Sequence, residues 1–187
     1  MPFRTERQLS PALNAVDIAS VVLLRHDSVL RYGEAAVVIN VQTPAGLLPL
    51  AGTNLGPSSW IEIRQDDIDL FADATRDHQW IHVDADRAKK GPFGTTIAHG
   101  YMTLSLVVSL WSELVTVERT SMTINYGLNK VRFPAPVRVG SRIRLTGTLS
   151  KVDSVEGGFQ VTSDLLVEIE DEKKPACALQ AVYRFYD

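Results

Sequence analysis

Asp77 and His82 lie five positions apart, and another histidine, His99, directly precedes Gly100 at the head of the most apolar segment of the chain. A carboxylate and an imidazole on either side of one short turn can aim at the same small volume and share a water molecule. Their ordinary pKa values, about 3.9 and about 6.5, are moved by burial and mutual coupling, so such a pair can carry protons near neutral pH. Residue types alone leave a second reading open, in which Asp77 only terminates the preceding helix and His82 packs under Trp80. Gly100 adds a possible electrophile. A backbone N–H in the first turn of a helix has no intrahelical acceptor, and a glycine lets a ligand oxygen come close, so this amide could meet a developing oxyanion. The same glycine would equally serve tight packing of helix on sheet.

Other chemistries fit less well. His78, His82, Asp84, Asp86 and His99 are metal-ligand types within a short span, and the spacing His78-x-x-x-His82 would suit one helix face. That stretch follows an expected helix end, however, no HExxH pattern occurs and Cys177 is far away in sequence, so no metal is expected. The chain also lacks a glycine-rich dinucleotide fingerprint, a phosphate-binding P-loop and a G-x-S-x-G elbow.

The elements that must position these residues can be read in part. Ser10-Pro11 makes a helix start, and Pro44, Gly46, Pro49, Gly52 and Gly56 break residues 37 to 56 into a short element and an open connection. Alternation from Trp60 to Arg64 predicts a short strand. Asp66 is then the candidate N-cap of a helix carrying Ile68, Leu70, Phe71 and Ala74 to an end near Thr75. Residues 77 to 82 read as a turn, and Asp84 or Asp86 can cap a short helix that Gly91-Pro92 stops. The run from Gly100 to Trp111 is apolar around most of its circumference, the mark of a helix buried on several sides. Four long β-rich segments follow, at 122–133, 141–151, 159–169 and 176–186. Strands gathered after helices predict an α+β domain, an antiparallel sheet with helices on one face.

The chain of 187 residues carries a net charge of -3, with 45% hydrophobic and 22% charged residues. These values fit one soluble domain and give no electrostatic case for nucleic acid. Cys177 is the only cysteine, which points to a reducing compartment, the cytoplasm. The apolar run from Ala15 to Leu24 is interrupted by Asp17, and no stretch reaches the ~20 residues that span a bilayer, so no membrane association is expected.

The stretch FADATRDHQWIHVDADRAKKGPFGTTIAHGYMTLSL resembles the MaoC-like dehydratases, the R-specific enoyl-CoA hydratases of hotdog fold. Their Asp-x-Asn-x-x-His hydratase motif falls on Asp77 and His82, and their Ala-His-Gly helix start falls on Ala98-His99-Gly100. The later segment INYGLNKVRFPAPVRVGSRIR is similar to their second half. The resemblance runs from about Val41 to Tyr186 and leaves residues 1–37 as an N-terminal extension of unknown role before a single domain at 38–187. It implies a hotdog, with a central helix from Gly100 to about Val115 wrapped by a curved antiparallel sheet, paired as a homodimer.

The resemblance also implies a reaction. Water would add across the double bond of a 2-enoyl thioester of coenzyme A or acyl carrier protein, or leave the (R)-3-hydroxyacyl thioester, without metal or redox cofactor. Asp77 and His82 would be catalytic, and Gly100, with His99 and Gln79 beside it, would serve the oxyanion and substrate. Gln79 stands where many members carry Asn and keeps the amide. A serine that many members carry further along the central helix falls in the region that Val108 and Ser109 straddle, so Ser109 is assigned no role. Two other classes share the frame, acyl-thioester hydrolases and non-catalytic halves that only complete an acyl tunnel; the intact Asp77/His82 pair argues against both.

Overall fold

Residues 38–187 are described by the structure, a computed structural model. They run as β1 (Ile39–Val41), a 3-10 helix (Pro44–Leu50), β2 (Thr53–Leu55), β3 (Ile61–Glu62), α1 (Gln65–Thr75), α2 (Trp80–Val83), α3 (Ala85–Lys89), α4 (Gly100–Leu114), β4 (Val115–Val117), β5 (Met122–Arg132), β6 (Arg142–Val155), β7 (Gly158–Ile169) and β8 (Cys177–Tyr186). The helix expected to begin at Ser10-Pro11 lies outside the described residues.

The last three strands, β6 to β8, follow the period of two that buries one face of a sheet, whereas β5 buries none of its residues. Ile143, Leu145 and Leu149 of β6, Val161, Leu165 and Val167 of β7, and Leu179, Ala181, Tyr183 and Phe185 of β8 are all buried. They pair antiparallel in the order β2-β6-β7-β8-β5, with β3 also on β6. The core forms where α4 lies on this sheet. Met102, Val107, Leu110, Trp111 and Leu114 face inward, and the Trp111 indole stacks on the Tyr183 ring at 4.5 Å. This is the antiparallel sheet with a long helix that the sequence predicts.

Several details differ from the sequence reading. The helix expected to be capped by Asp66 begins earlier: Arg64 is the N-cap, with an extended backbone and no capping side chain, and Asp66 and Asp67 fall in the first turn, where acids suit the helix dipole. The strand expected from Trp60 to Arg64 is only the two residues of β3. The turn expected at 77–82 closes sooner, because residues 80–83 form the single turn of α2 and His82 therefore sits on a helix. Asp84, as expected, caps α3 by accepting from the Arg87 N–H at 2.9 Å. β1 and β4 form a short parallel pair, Ile39 opposite Val115, that no pattern predicted.

α4 departs most from expectation. One of its faces is open: Tyr101 is 73% exposed and Val108 46%, and Ser105, Ser109 and Ser112 on the same side are exposed too. None of the described helices is long and apolar enough to cross a membrane.

Candidate active site

α1 ends at Thr75, and Arg76 turns the chain through the left-handed region at φ 63°, which reverses its direction and places Asp77 just outside the helix. Asp77 is therefore not the residue that ends α1. Gln79 caps the next turn with its carbonyl, which accepts from the His82 N–H at 2.9 Å. Asp77, Gln79 and the neighbouring His78 are exposed, whereas His82, one turn on, is 6% exposed. His78 bonds Asp73 at 2.9 Å on the surface and stands apart from the cluster; that bond holds its imidazole above the ordinary histidine range.

The segment before α4 supplies the other half. Ile97 bridges to Arg138, its N–H bonds the Ile81 carbonyl at 3.0 Å, and the Ala98 N–H bonds the Val137 carbonyl at 2.8 Å. This fixes the Ile97 carbonyl 2.7 Å from His82 Nδ1. A carbonyl only accepts, so Nδ1 carries the proton and Nε2 is left as the basic nitrogen. His99 is set the opposite way. Its Nε2 donates to the Asp77 carbonyl at 2.9 Å, and its Nδ1 is buried without a partner.

The two rings stack at 3.7 Å, 24° from parallel, and Phe71 closes the far side of His99 at 5.1 Å. His82 thus packs against His99 and not under Trp80, whose ring instead carries the Arg87 guanidinium at 4.5 Å. Burial pushes the His82 imidazole below its usual pKa, His99 adds to that shift, and the Ile97 carbonyl and Asp77 carboxylate oppose it. A neutral imidazole with a free Nε2 is the form that can take a proton.

Asp77, His82 and His99 bring one ligand-type atom each within 4.8 Å of one another. Two histidines that each donate their second nitrogen to a carbonyl resemble a metal site in outline. The stacking tells against that use. In-plane lone pairs of nearly parallel rings run side by side and do not converge on one ion, so the arrangement suits proton traffic better than chelation.

Gly100 opens α4 beside this cluster, and Phe133 lies on it: a Cβ at position 100 would come within 3.2 Å of the Phe133 ring. Any larger residue there would have to move that ring. Ser109 turns its hydroxyl back onto the Leu106 carbonyl at 2.9 Å and is exposed. One residue of the site had no signal in the sequence. Gln65, the first of α1, donates from Nε2 to the His82 carbonyl at 2.8 Å and accepts from the buried Thr96 hydroxyl at 2.6 Å.

Residues 48–170 match a family model described as MaoC like domain. The chain is 52% identical over 145 residues to 3-hydroxyacyl-thioester dehydratase Z of Mycobacterium tuberculosis, covering 77% of this chain and 96% of that protein. It is 48% identical over 128 residues to nodulation protein N of Rhizobium leguminosarum bv. viciae, with 67% and 80% covered. Among solved structures, the unliganded R-hydratase from Pseudomonas aeruginosa superposes with a TM-score of 0.64 over 78% of this chain and 86% of that one, at 21% identity.

Proposed function

This chain belongs to the MaoC-like dehydratase family, with the hotdog fold of its structural neighbours, and we propose that it is an R-specific hydro-lyase acting on fatty acyl thioesters. The observation that carries the reading is the buried, neutral His82 with its free Nε2 beside the exposed Asp77 carboxylate, both next to the amide that opens α4.

In the hydration direction, Asp77 and His82 hold one water between them. The water oxygen forms its bond to C3 of the 2-enoyl thioester while one of its protons passes to the pair. The electrons of the C2–C3 double bond move toward the thioester oxygen, where the Gly100 N–H meets the growing enolate charge. A proton from the pair then reaches C2, and the (R)-3-hydroxyacyl thioester leaves with the site restored. Dehydration is the same path reversed. Gln79, with its carbonyl on α2, and His99, bonded to the Asp77 carbonyl, line the approach and brace the pair.

The reading includes a homodimer. β5 is a terminal strand of the sheet, and Met122, Tyr126, Leu128 and the following Phe133 are 51%, 54%, 47% and 43% exposed. A long, uncovered edge of this kind, with large apolar side chains exposed along it, invites a strand from a second copy.

Crotonyl-CoA tests the chemistry. Hydration removes the conjugated enoyl-thioester absorbance and releases no thiol. Thiol release would instead assign a hydrolase, and no change with crotonyl- through dodecenoyl-CoA would assign a binding subunit.

A further inference from the structure

We propose that Gln65 is a positioning residue of the acid/base site, a side chain that joins two structural supports of His82. The proposal rests on the reading of Asp77 and His82 given above. Gln65 lies on α1, His82 on α2, and Thr96 on the segment that leads into α4. The Gln65 amide spends both of its N–H donors, one on the His82 carbonyl at 2.8 Å and one on Asp69 Oδ1 at 2.7 Å, and its oxygen accepts from Thr96 Oγ1 at 2.6 Å. Thr96 is 1% exposed, and its own carbonyl accepts from the Val139 N–H at 3.0 Å. The next residue in the chain supplies the Ile97 carbonyl that holds His82 Nδ1.

Besides its N–H on the Gln79 carbonyl and its stacking on His99, His82 is held at its peptide carbonyl by Gln65 and at its ring by Ile97, and Gln65 ties those last two holds together through Thr96. A free short helix of four residues has no rigidity of its own. What fixes the direction of its histidine must come from outside, and the Gln65 amide supplies two donors and an acceptor at once, which neither a carboxylate nor an alkyl chain can. Glutamate at this position would lose both donors, and leucine would lose all three bonds. A shift of the imidazole by about 1 Å is enough to cost up to about a hundredfold in turnover.

The test compares Gln65→Leu and Gln65→Glu with the parent enzyme in kcat and KM on crotonyl-CoA, in melting temperature, and in the 15N resonances of the His82 ring. The charged and titratable neighbours that act on His82 are Asp77 and His99, and neither is altered. Expected are a kcat lowered about tenfold or more with KM within about threefold, and loss of the pure Nδ1–H signature of His82. Thr96→Val, which removes one link only, should show the same signature more weakly and serves where a Gln65 variant does not fold. Unchanged kcat per folded molecule with an unchanged His82 spectrum, with or without a lower melting temperature, overturns the proposal. His82→Ala is run beside them: if it is fully active, the acid/base reading itself fails, whereas an inactive His82→Ala beside fully active Gln65 variants sinks the positioning role alone.

Discussion

Two regions meet at the start of α4 and are built on opposite terms. Below lies the histidine cradle, where His82 and His99 are 6% and 3% exposed, stacked on each other and bonded to carbonyls of residues 97 and 77. Above lies a wall with almost no burial: along β5 only Ile124 and Val131 are even partly covered, and the facing stripe of α4 from Tyr101 to Ser112 is open. The cradle is finished within one chain. The wall is long, mixes Tyr101, Val108, Tyr126 and Leu128 with serines, asparagines and cations, and carries no strand on the outer edge of β5 among the described residues, which is how a surface looks when it awaits another surface. Under the proposed reading, the proton-carrying groups are set by local folding, whereas the open side depends on what covers β5 and α4.

The sharpest way to break this contrast is to attack the cradle. Asp77→Asn and His82→Ala should each lower kcat on crotonyl-CoA by about 10²–10⁴-fold per folded molecule. The melting temperature should change little for the exposed Asp77 and fall for His82→Ala, which empties a buried, stacked site. Because both groups serve one water, the double variant should lose far less than the product of the single losses. A fully folded, fully active Asp77→Asn enzyme would falsify the assignment.

A second experiment addresses the wall. Light scattering at micromolar concentration should give twice the 20.6 kDa of the chain, and charges at the edge, Met122→Lys with Leu128→Lys, should return it to 20.6 kDa. A parent protein that is already 20.6 kDa would leave the wall as plain surface and end the contrast. The smallest expected effect is a pH dependence confined to the cradle. The folded pKa of His82 lies below its ordinary value of 6.5, so the unfolded chain takes up that proton first as pH falls. The contribution of His82 to stability is therefore complete above about 6.5 and is lost as pH drops from there toward the folded pKa. The melting temperature of the parent should fall more steeply in that window than that of His82→Gln, and identical slopes would show that burial does not penalise the charged form.

Much of the frame was legible because it rests on local signals. The four β-rich segments from 122 to 186 and the apolar run after Gly100 survive in the structure with ends moved by a few residues. That Asp77 and His82, the proposed acid/base pair, come together was legible for the same reason, since they share one short segment. What stayed hidden is held by distant backbone partners. His99 reaches a carbonyl 22 residues away and Gln65 a hydroxyl 31 residues away, and neither spacing has a period. The early start of α1 belongs to this class. Asp66 has the better capping side chain, yet Gln65 is drawn into the helix by its bonds to His82 and Thr96, a tertiary demand that outweighs a preference of about 1 kcal/mol. The open stripe of α4 was missed because composition records apolarity and not the partner that covers it.

The bond from His99 to the Asp77 carbonyl works as a ruler. Gly100 is the next residue after His99, so the residue that carries the Asp77 carboxylate and the amide proposed to meet the thioester oxygen are joined by one hydrogen bond, the His99 side chain and one peptide unit. That gauge runs through His99, which stacks on His82 of α2, and does not pass through the loop at Gly91 or through β5. Under the proposed reaction, C1 and C3 of every substrate must fit the same fixed span, whatever the length of its tail. Chain-length preference can then drift by substitutions on the open wall, at Tyr101, Val108 or Phe133, without recalibrating the distance between the proton carriers and the oxyanion donor.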